Sequence, residues 1–268
     1  MEFGACSLVL VCFLVLGICD FRHKTPRQSQ TSLTWPKGPG FLGHNKIALN
    51  IHEEVGKMTR VYVVRHGQTA WNLEEVFRGR ADIPLDETGK KEVHLAGEAL
   101  QNESVHAVYS SPLSRSMETA ENIAKFHDIA VTPLEAIIDI SYGEWEGVSL
   151  KEISAKYPEL YSLWLQEPHK VRFPNGETLE EVRGRTTEAL EGLVAKHLNE
   201  TIALVAHRAP NKVICCALLG LDNSHFWRIQ QDTASTNLFI YKNEQWIVSF
   251  LNDTSYLKVL GKTPLSDF

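Results

Sequence analysis

The chain has 268 residues, of which 43% are hydrophobic and 22% charged, proportions that exclude a disordered or low-complexity protein and suit one soluble α/β domain with a sizeable core. A formal net charge of -6 excludes a general nucleic-acid binder, which needs a basic face, and points to a small-molecule partner with positive potential confined to a pocket. Of the five cysteines, Cys6, Cys12 and Cys19 fall in an amino-terminal apolar stretch and Cys215 and Cys216 are neighbours, so neither a disulfide framework nor a zinc site is expected, as in a reducing compartment.

Residues 8–18 are almost wholly apolar, too short to cross a bilayer comfortably but close to the length of a signal-peptide core. The flanks contradict a secretion signal: Glu2 stands ahead of the run, and Arg22, Lys24 and Arg27 stand after it, which favours a cytoplasmic position for the downstream residues. An anchor or poor signal, a start placed upstream of Met58, and a helix packed on the domain all remain open readings. No stable membrane insertion of the downstream part is expected. Residues 25–43 are rich in Pro, Gly, Ser, Thr and Gln without periodicity and read as a linker. The expected division is therefore an extension over 1–57 and a domain over 58–268.

Residues 61–64 read as a short buried strand that stops abruptly at Arg65-His66-Gly67. The carboxyl end of such a strand is where open α/β sheets bind ligands. An arginine beside an imidazole there, with a glycine that lets a ligand approach the backbone, suits an anion attacked by a neutral nitrogen. A phosphoryl group is the natural anion.

The loop at 77–85 carries Arg78 and Arg80, which on residue type alone read as surface charges. A helix over 88–100 comes next, with Val93, Ala96 and Leu100 on one stripe. Residues 105–110 form the next strand, and Ser111-Pro112 reads as the start of a helix with Arg115 in its first turns. A helix start presents N–H donors to an anion, and a guanidinium beside it adds a fork.

Residues 136–140 read as another buried strand running into Ser141-Tyr142-Gly143-Glu144-Trp145-Glu146-Gly147. Ser149 and Glu152 make a capping box, which leaves Asp139, Glu144 and Glu146 as candidate general acids. A helix over 158–166 places Tyr161, Trp164 and Leu165 on roughly one face, as core. Thr178 and Glu181 cap a long helix to about 197, and His169 and His197 read as exposed.

A second apolar strand, 201–206, also runs straight into a histidine, His207. Two parallel strands of one sheet would bring both imidazoles to the same edge. An apolar helix over 211–219 and closing strands over 236–241 and 246–250 complete the chain.

Taken in order, Arg65-His66-Gly67-Gln68-Thr69 with Trp71-Asn72, then Arg115, then residues 142–147, then His207 resemble the motifs of the histidine phosphatase superfamily, the phosphoglycerate-mutase-like fold. The resemblance covers everything from about Arg60 onward. It implies a three-layer α/β/α sandwich with a mainly parallel central sheet, and hydrolysis of a small phosphorylated metabolite without metal or cofactor. His66 would form a phosphohistidine, and Arg65, Arg115, His207 and Asn72 would hold the phosphate oxygens. Gln68 and Arg78 would lie on the substrate side. The family's acid is usually a glutamate a few residues before the Gly-x-Trp-Glu-Gly turn; Asp139 matches it here and is one methylene shorter. Arg208-Ala209-Pro210 departs from the small residues of many relatives, which bears on substrate size more than on chemistry. A phosphoglycerate mutase is the alternative enzyme, although the stretch between 147 and 173 is shorter than the mutases' insertion. A phosphate-ligand binding protein of weak activity is the alternative of another class. No oligomeric state is legible in the sequence.

Overall fold

The structure, a computed structural model, describes residues 58–261. The apolar run, the linker and the whole of the expected extension over 1–57 lie outside the described residues. β1 (Met58–Arg65) sends Val61 and Val63 into one core with Ile202 and Leu204, and Tyr62 and Val64 into another with Val108, Ala203 and Val205. A strand covered on both faces needs an unbroken apolar run, the pattern of a parallel-sheet interior. Each such fully buried valine contributes roughly 1.5–3 kcal/mol relative to exposure.

After β1 come a short helix α1 (Ala70–Leu73), α2 (Glu87–Leu100), β2 (Val105–Ser110), α3 (Ser114–Ala124) and β3 (Val131–Pro133). The remaining elements are α4 (Leu150–Lys156), α5 (Pro158–Gln166), α6 (Leu179–Lys196), β4 (Thr201–Ala206), α7 (Arg208–Leu218), β5 (Thr236–Lys242) and β6 (Gln245–Asp253). The strands form one sheet in the order β3-β2-β4-β1-β5-β6. Pairings from β3 through β2 and β4 to β1 are parallel, while β5 runs antiparallel to β1 and β6 antiparallel to β5.

Leu190, Leu193 and Val194 of α6 and Ile214 and Cys215 of α7 cover one face; Leu100 of α2 and Ala120 and Ile123 of α3 cover the other. This is the expected three-layer α/β/α sandwich. A further cluster joins Phe77, Tyr142, Trp145, Trp164, Phe173 and Phe226 and supports the loops at one end of the sheet. Among the described residues no helix is long and apolar enough to cross a membrane.

Five expectations are corrected. Residues 136–140 are not a strand. The sheet's edge there is β3, and a 3-10 turn at Glu135–Ile137 leads into a loop. Its apolar residues are buried because Ile137 enters the sheet core and Ile140 the aromatic cluster. Its carbonyls are met by a side chain instead of a ladder: Arg185 of α6 donates to the carbonyls of Ala136 at 2.7 Å, Ile138 at 2.8 Å and Asp139 at 3.2 Å. Buried backbone needs a partner, and a guanidinium with five donors can replace a neighbouring strand.

Secondly, α3 starts at Ser114 and not at Ser111-Pro112. Its first turn is capped from a distant loop, because Asp82 Oδ1 accepts from both the backbone N–H and the hydroxyl of Ser114, at 2.8 and 2.7 Å. Thirdly, His197 is buried: its Nε2 pairs with the Tyr109 hydroxyl at 2.8 Å and its Nδ1 with Glu200 at 2.6 Å. Fourthly, Leu165 is exposed while its neighbour Trp164 is fully buried, since adjacent helical residues project about 100° apart. Lastly, α7 begins earlier than residue 211, at Arg208; Pro210 is tolerated because the first turn has no intrahelical use for its missing N–H.

Candidate active site

β1 and β4 are neighbours in register, Arg65 opposite Ala206, so the residue after each pair is a histidine at the same sheet edge. The rings of His66 and His207 stand 5.1 Å apart between centroids. His66 is held there by backbone bonds on both sides, its N–H to the Ala206 carbonyl and its carbonyl from the Ala234 N–H. β2 lies on the far side of β4, Ser110 opposite Val205, and this delivers Ser111 to the same edge.

Why the chain can turn so tightly after His66 is visible in two glycines. A Cβ on Gly67 would stand 2.7 Å from the Gly89 carbonyl oxygen, and one on Gly89 would stand 2.1 Å from that of Gln68. The first turn of α2 is thus packed directly on the backbone of the motif. Glu92, one turn on, is buried beneath it, where its carboxylate accepts from the Gln68 N–H at 2.8 Å and the Thr233 hydroxyl at 3.1 Å. Burial raises its pKa against those bonds. Arg65, fully buried, donates to the Gln231 carbonyl at 2.7 Å and is one of the charges that act on both Glu92 and His66.

The Nδ1 of His66 lies 2.7 Å from the Gly67 carbonyl. A carbonyl can only accept, so Nδ1 carries the proton and Nε2 keeps its lone pair. Burial, and then the charges of Arg115, Arg65 and Arg78, hold the pKa of His66 well below the ordinary imidazole value. Both effects favour the neutral ring, which is the nucleophilic form.

His207 has the other ring nitrogen engaged. Its Nε2 is 2.7 Å from Ser111 Oγ and 3.3 Å from Ser116 Oγ, while Nδ1 faces Asp139 Oδ2 at 3.7 Å. Burial, with Arg115 and His66 next, depresses its pKa well below 6.5 as well. His207 is also the N-cap of α7, and Arg115 is the second residue of α3. Two helix starts therefore direct their positive ends to this edge.

Arg115 is fully buried and fixed by the carbonyls of Ala81 at 2.7 Å and Gly79 at 2.8 Å, with Asp139 Oδ2 at 3.4 Å. Burial lowers its pKa to about 10, which still leaves it charged at neutral pH. Asp139 is only 6% exposed. Burial raises its pKa, opposed by Arg115 and Arg78, by the Ile140 N–H bonded to Oδ1, and by Arg208. The net direction is upward, because the ion-pair distance is long while the desolvation is nearly complete.

Of the residues named from the sequence, Arg65, His66, Arg115, Asp139 and His207 are brought together, and Arg78 is buried close enough to act on His66, Arg115 and Asp139. The Gln68 amide donates to Asp86 at 2.8 Å, the N-cap of α2. Asn72 Oδ1 accepts from the N–H and hydroxyl of Thr69, a cap for α1. Glu144 is occupied by the Tyr157 hydroxyl and the Asn175 amide, and Glu146 by the Tyr142 N–H, so both serve the turn. Ser111, Glu92 and Arg185 were not legible as site residues. The one available signal for Glu92 was a carboxylate beside Val93 on an otherwise apolar stripe. Among the described residues no group of three or more His, Cys, Asp or Glu side chains is gathered as a metal site requires.

Comparison with known proteins agrees with this geometry. The sequence model of the histidine phosphatase superfamily (branch 1) matches residues 61–254. Phosphoserine phosphatase 1 of Hydrogenobacter thermophilus is 37% identical over 200 residues, which cover 75% of this chain and 95% of that protein. The metal-independent phosphoserine phosphatase of Arabidopsis thaliana is 29% identical over 208 residues, 76% of this chain and 86% of that protein. A solved structure of a phosphoserine phosphatase mutant from Entamoeba histolytica, in complex with phosphoserine, matches with a TM-score of 0.68 and 26% identity over 74% of this chain and 99% of that one. With two strand-end histidines at one edge, buried arginines around them and a family match that spans most of the sheet, the chain belongs to branch 1 of the histidine phosphatase superfamily and is a phosphatase.

Proposed function

We propose that the protein hydrolyses a small phosphomonoester of the phosphoserine type through a phosphohistidine on His66. The observation that carries this reading is the 2.7 Å contact of His66 Nδ1 with the Gly67 carbonyl, which leaves Nε2 as a neutral nucleophile among fixed cations. Nε2 attacks phosphorus, the ester P–O bond breaks, and Asp139 gives its proton to the departing alkoxide. Asp139, now a carboxylate, takes a proton from water, whose oxygen attacks phosphorus and releases His66 and inorganic phosphate. Arg65, Arg115 and His207 stabilise the charge that spreads over the non-bridging oxygens; Arg78, Asn72 and Gln68 line or brace the substrate side.

The substrate class is supported by relatives whose names specify phosphoserine. A catalytic unit over 58–268 behind an extension over 1–57, and a cytoplasmic setting, belong to the same proposal. Buried free thiols at Cys215 and Cys216 support that setting. The test is phosphate release from phosphoserine in the presence of chelator, with rapid quench to trap acid-labile phosphate on the protein. Label mapped to His66 supports the reading. Label on a serine or aspartate, or movement of phosphate within phosphoglycerate without free phosphate, would overturn it.

A further inference from the structure

The residue after His207 is an arginine, and its position has a chemical consequence. Arg208 is the first residue of α7 and is only 6% exposed. Helical Cα–Cβ bonds tilt toward the helix start, so its side chain leans back to the sheet edge that carries His66 and His207. There it lines one small cavity together with Asp139, Arg78, Tyr142, Val76 and Phe77. Its guanidinium carbon lies 5.5 Å from the ring centroid of Trp227. Trp227 is itself immobilised, its indole N–H donating to the Trp164 carbonyl at 2.7 Å and its ring set edge-on to Trp164.

We infer that Arg208 is a specificity residue that binds a carboxylate carried on the leaving alcohol, so that the enzyme prefers phosphate esters of hydroxy acids over esters of neutral alcohols. The inference deepens the proposed function and rests on its assignment of Asp139 as the acid. Asp139 must meet the ester oxygen, so the first carbons of the alcohol lie in the space Asp139 lines. In phosphoserine or phosphoglycerate the carboxylate is two carbons from that oxygen, and Arg208 borders the same space. A guanidinium matches a carboxylate with two parallel donors. The Trp227 ring beside the guanidinium and a hydrogen bond between Arg208 and Tyr142 hold the side chain and limit the rotamers lost on binding, and the five N–H donors of a guanidinium allow it to bond Tyr142 and a carboxylate together. The phosphate has its own arginines, Arg65 and Arg115, on β1 and α3, which separates the two anion contacts by element as well as by position.

The experiment compares two matched ester pairs on the full chain: phosphoserine against phosphoethanolamine, which lacks only the carboxylate, and 3-phosphoglycerate against glycerol 3-phosphate. The wild type is expected to favour the carboxylate member of at least one pair. Arg208→Ala should lower kcat/KM for that member on the order of 10- to 100-fold, the scale of one charge-assisted hydrogen-bond pair, mainly through KM. The preference should collapse, and Arg208→Lys should restore part of it. Equal losses on both members of a pair would mean that Arg208 only supports Asp139 or packing, and would overturn the inference. So would a wild type that hydrolyses the esters without preferring either member. Failure of phosphoserine alone, with 3-phosphoglycerate still preferred over glycerol 3-phosphate, would overturn the proposed substrate and leave the carboxylate contact standing.

Discussion

Ser111 and His207 meet across the ends of β2 and β4, with Oγ 2.7 Å from Nε2. A hydroxyl can donate or accept, whereas Asp139 Oδ2, which accepts from Arg115 at 3.4 Å, presents an acceptor to His207 Nδ1 at 3.7 Å; the proton therefore belongs on Nδ1, and Ser111 donates to Nε2. Ser111→Ala should release that tautomer and lower kcat/KM about tenfold, the upper end for one net hydrogen bond, while Ser111→Thr recovers most of it. Wild-type rates for Ser111→Ala across the pH range would show that Ser116, at 3.3 Å, suffices.

His66→Ala should abolish turnover and the trapped phosphoenzyme together. The variant should still bind phosphate, since the arginines remain; equilibrium binding of inorganic phosphate measures this. Residual phosphoenzyme in His66→Ala would assign the nucleophile elsewhere.

Arg115→Ala should cost about 2–4 kcal/mol of transition-state stabilisation, the scale of one preorganised donor in a water-poor site. Chelator should leave wild-type activity unchanged. Thermal unfolding of the variant must be recorded beside the kinetics, because Arg115 also bonds the carbonyls of Ala81 and Gly79.

The acid is assigned by leaving-group dependence. Asp139→Asn should lose far more activity on an alkyl phosphate than on an aryl phosphate, whose leaving group needs little protonation. With Asp139 intact, the alkyl rate should fall as pH rises through its raised pKa, because only the protonated acid donates. Glu144→Gln, which removes a partner of Tyr157 and Asn175, should affect both substrates alike. The reverse pattern would move the acid to Glu144.

Stability should also depend on pH through the two histidines. Both have folded pKa values well below 6.5, so below pH 6.5 the unfolded chain takes up protons that the folded protein does not. Stability therefore falls as pH drops below 6.5, by up to about 1.4 kcal/mol per pH unit for each histidine. His66→Asn should flatten this slope by up to one proton. Urea unfolding at several pH values between 5 and 7.5 measures it, and an unchanged slope would show that His66 is protonated in the folded state.

The central strands and much of the chemistry are legible in the residues alone. Apolar runs at 61–64 and 201–206 read as buried strands and form β1 and β4, each followed by a charged or histidine residue at its end, and local capping boxes set the starts of α4 and α6. These signals are local: they depend on residues a few positions apart, so periodicity and side-chain chemistry suffice to read them. The features that needed the folded chain depend on groups far apart in it. The loop with Asp139 looked like a strand because burial and strand formation leave the same apolar signature. Arg185, 46 residues away from Asp139, satisfies its backbone instead. Ser111 looked like a helix cap, but the placement of β2 beside β4 gives its hydroxyl to His207, 96 residues distant. His197 looked like a surface residue until the fold set Tyr109 against it, 88 residues away. A buried polar group takes whichever partner the packing brings within reach, and that choice is made by topology, which no short window of sequence contains.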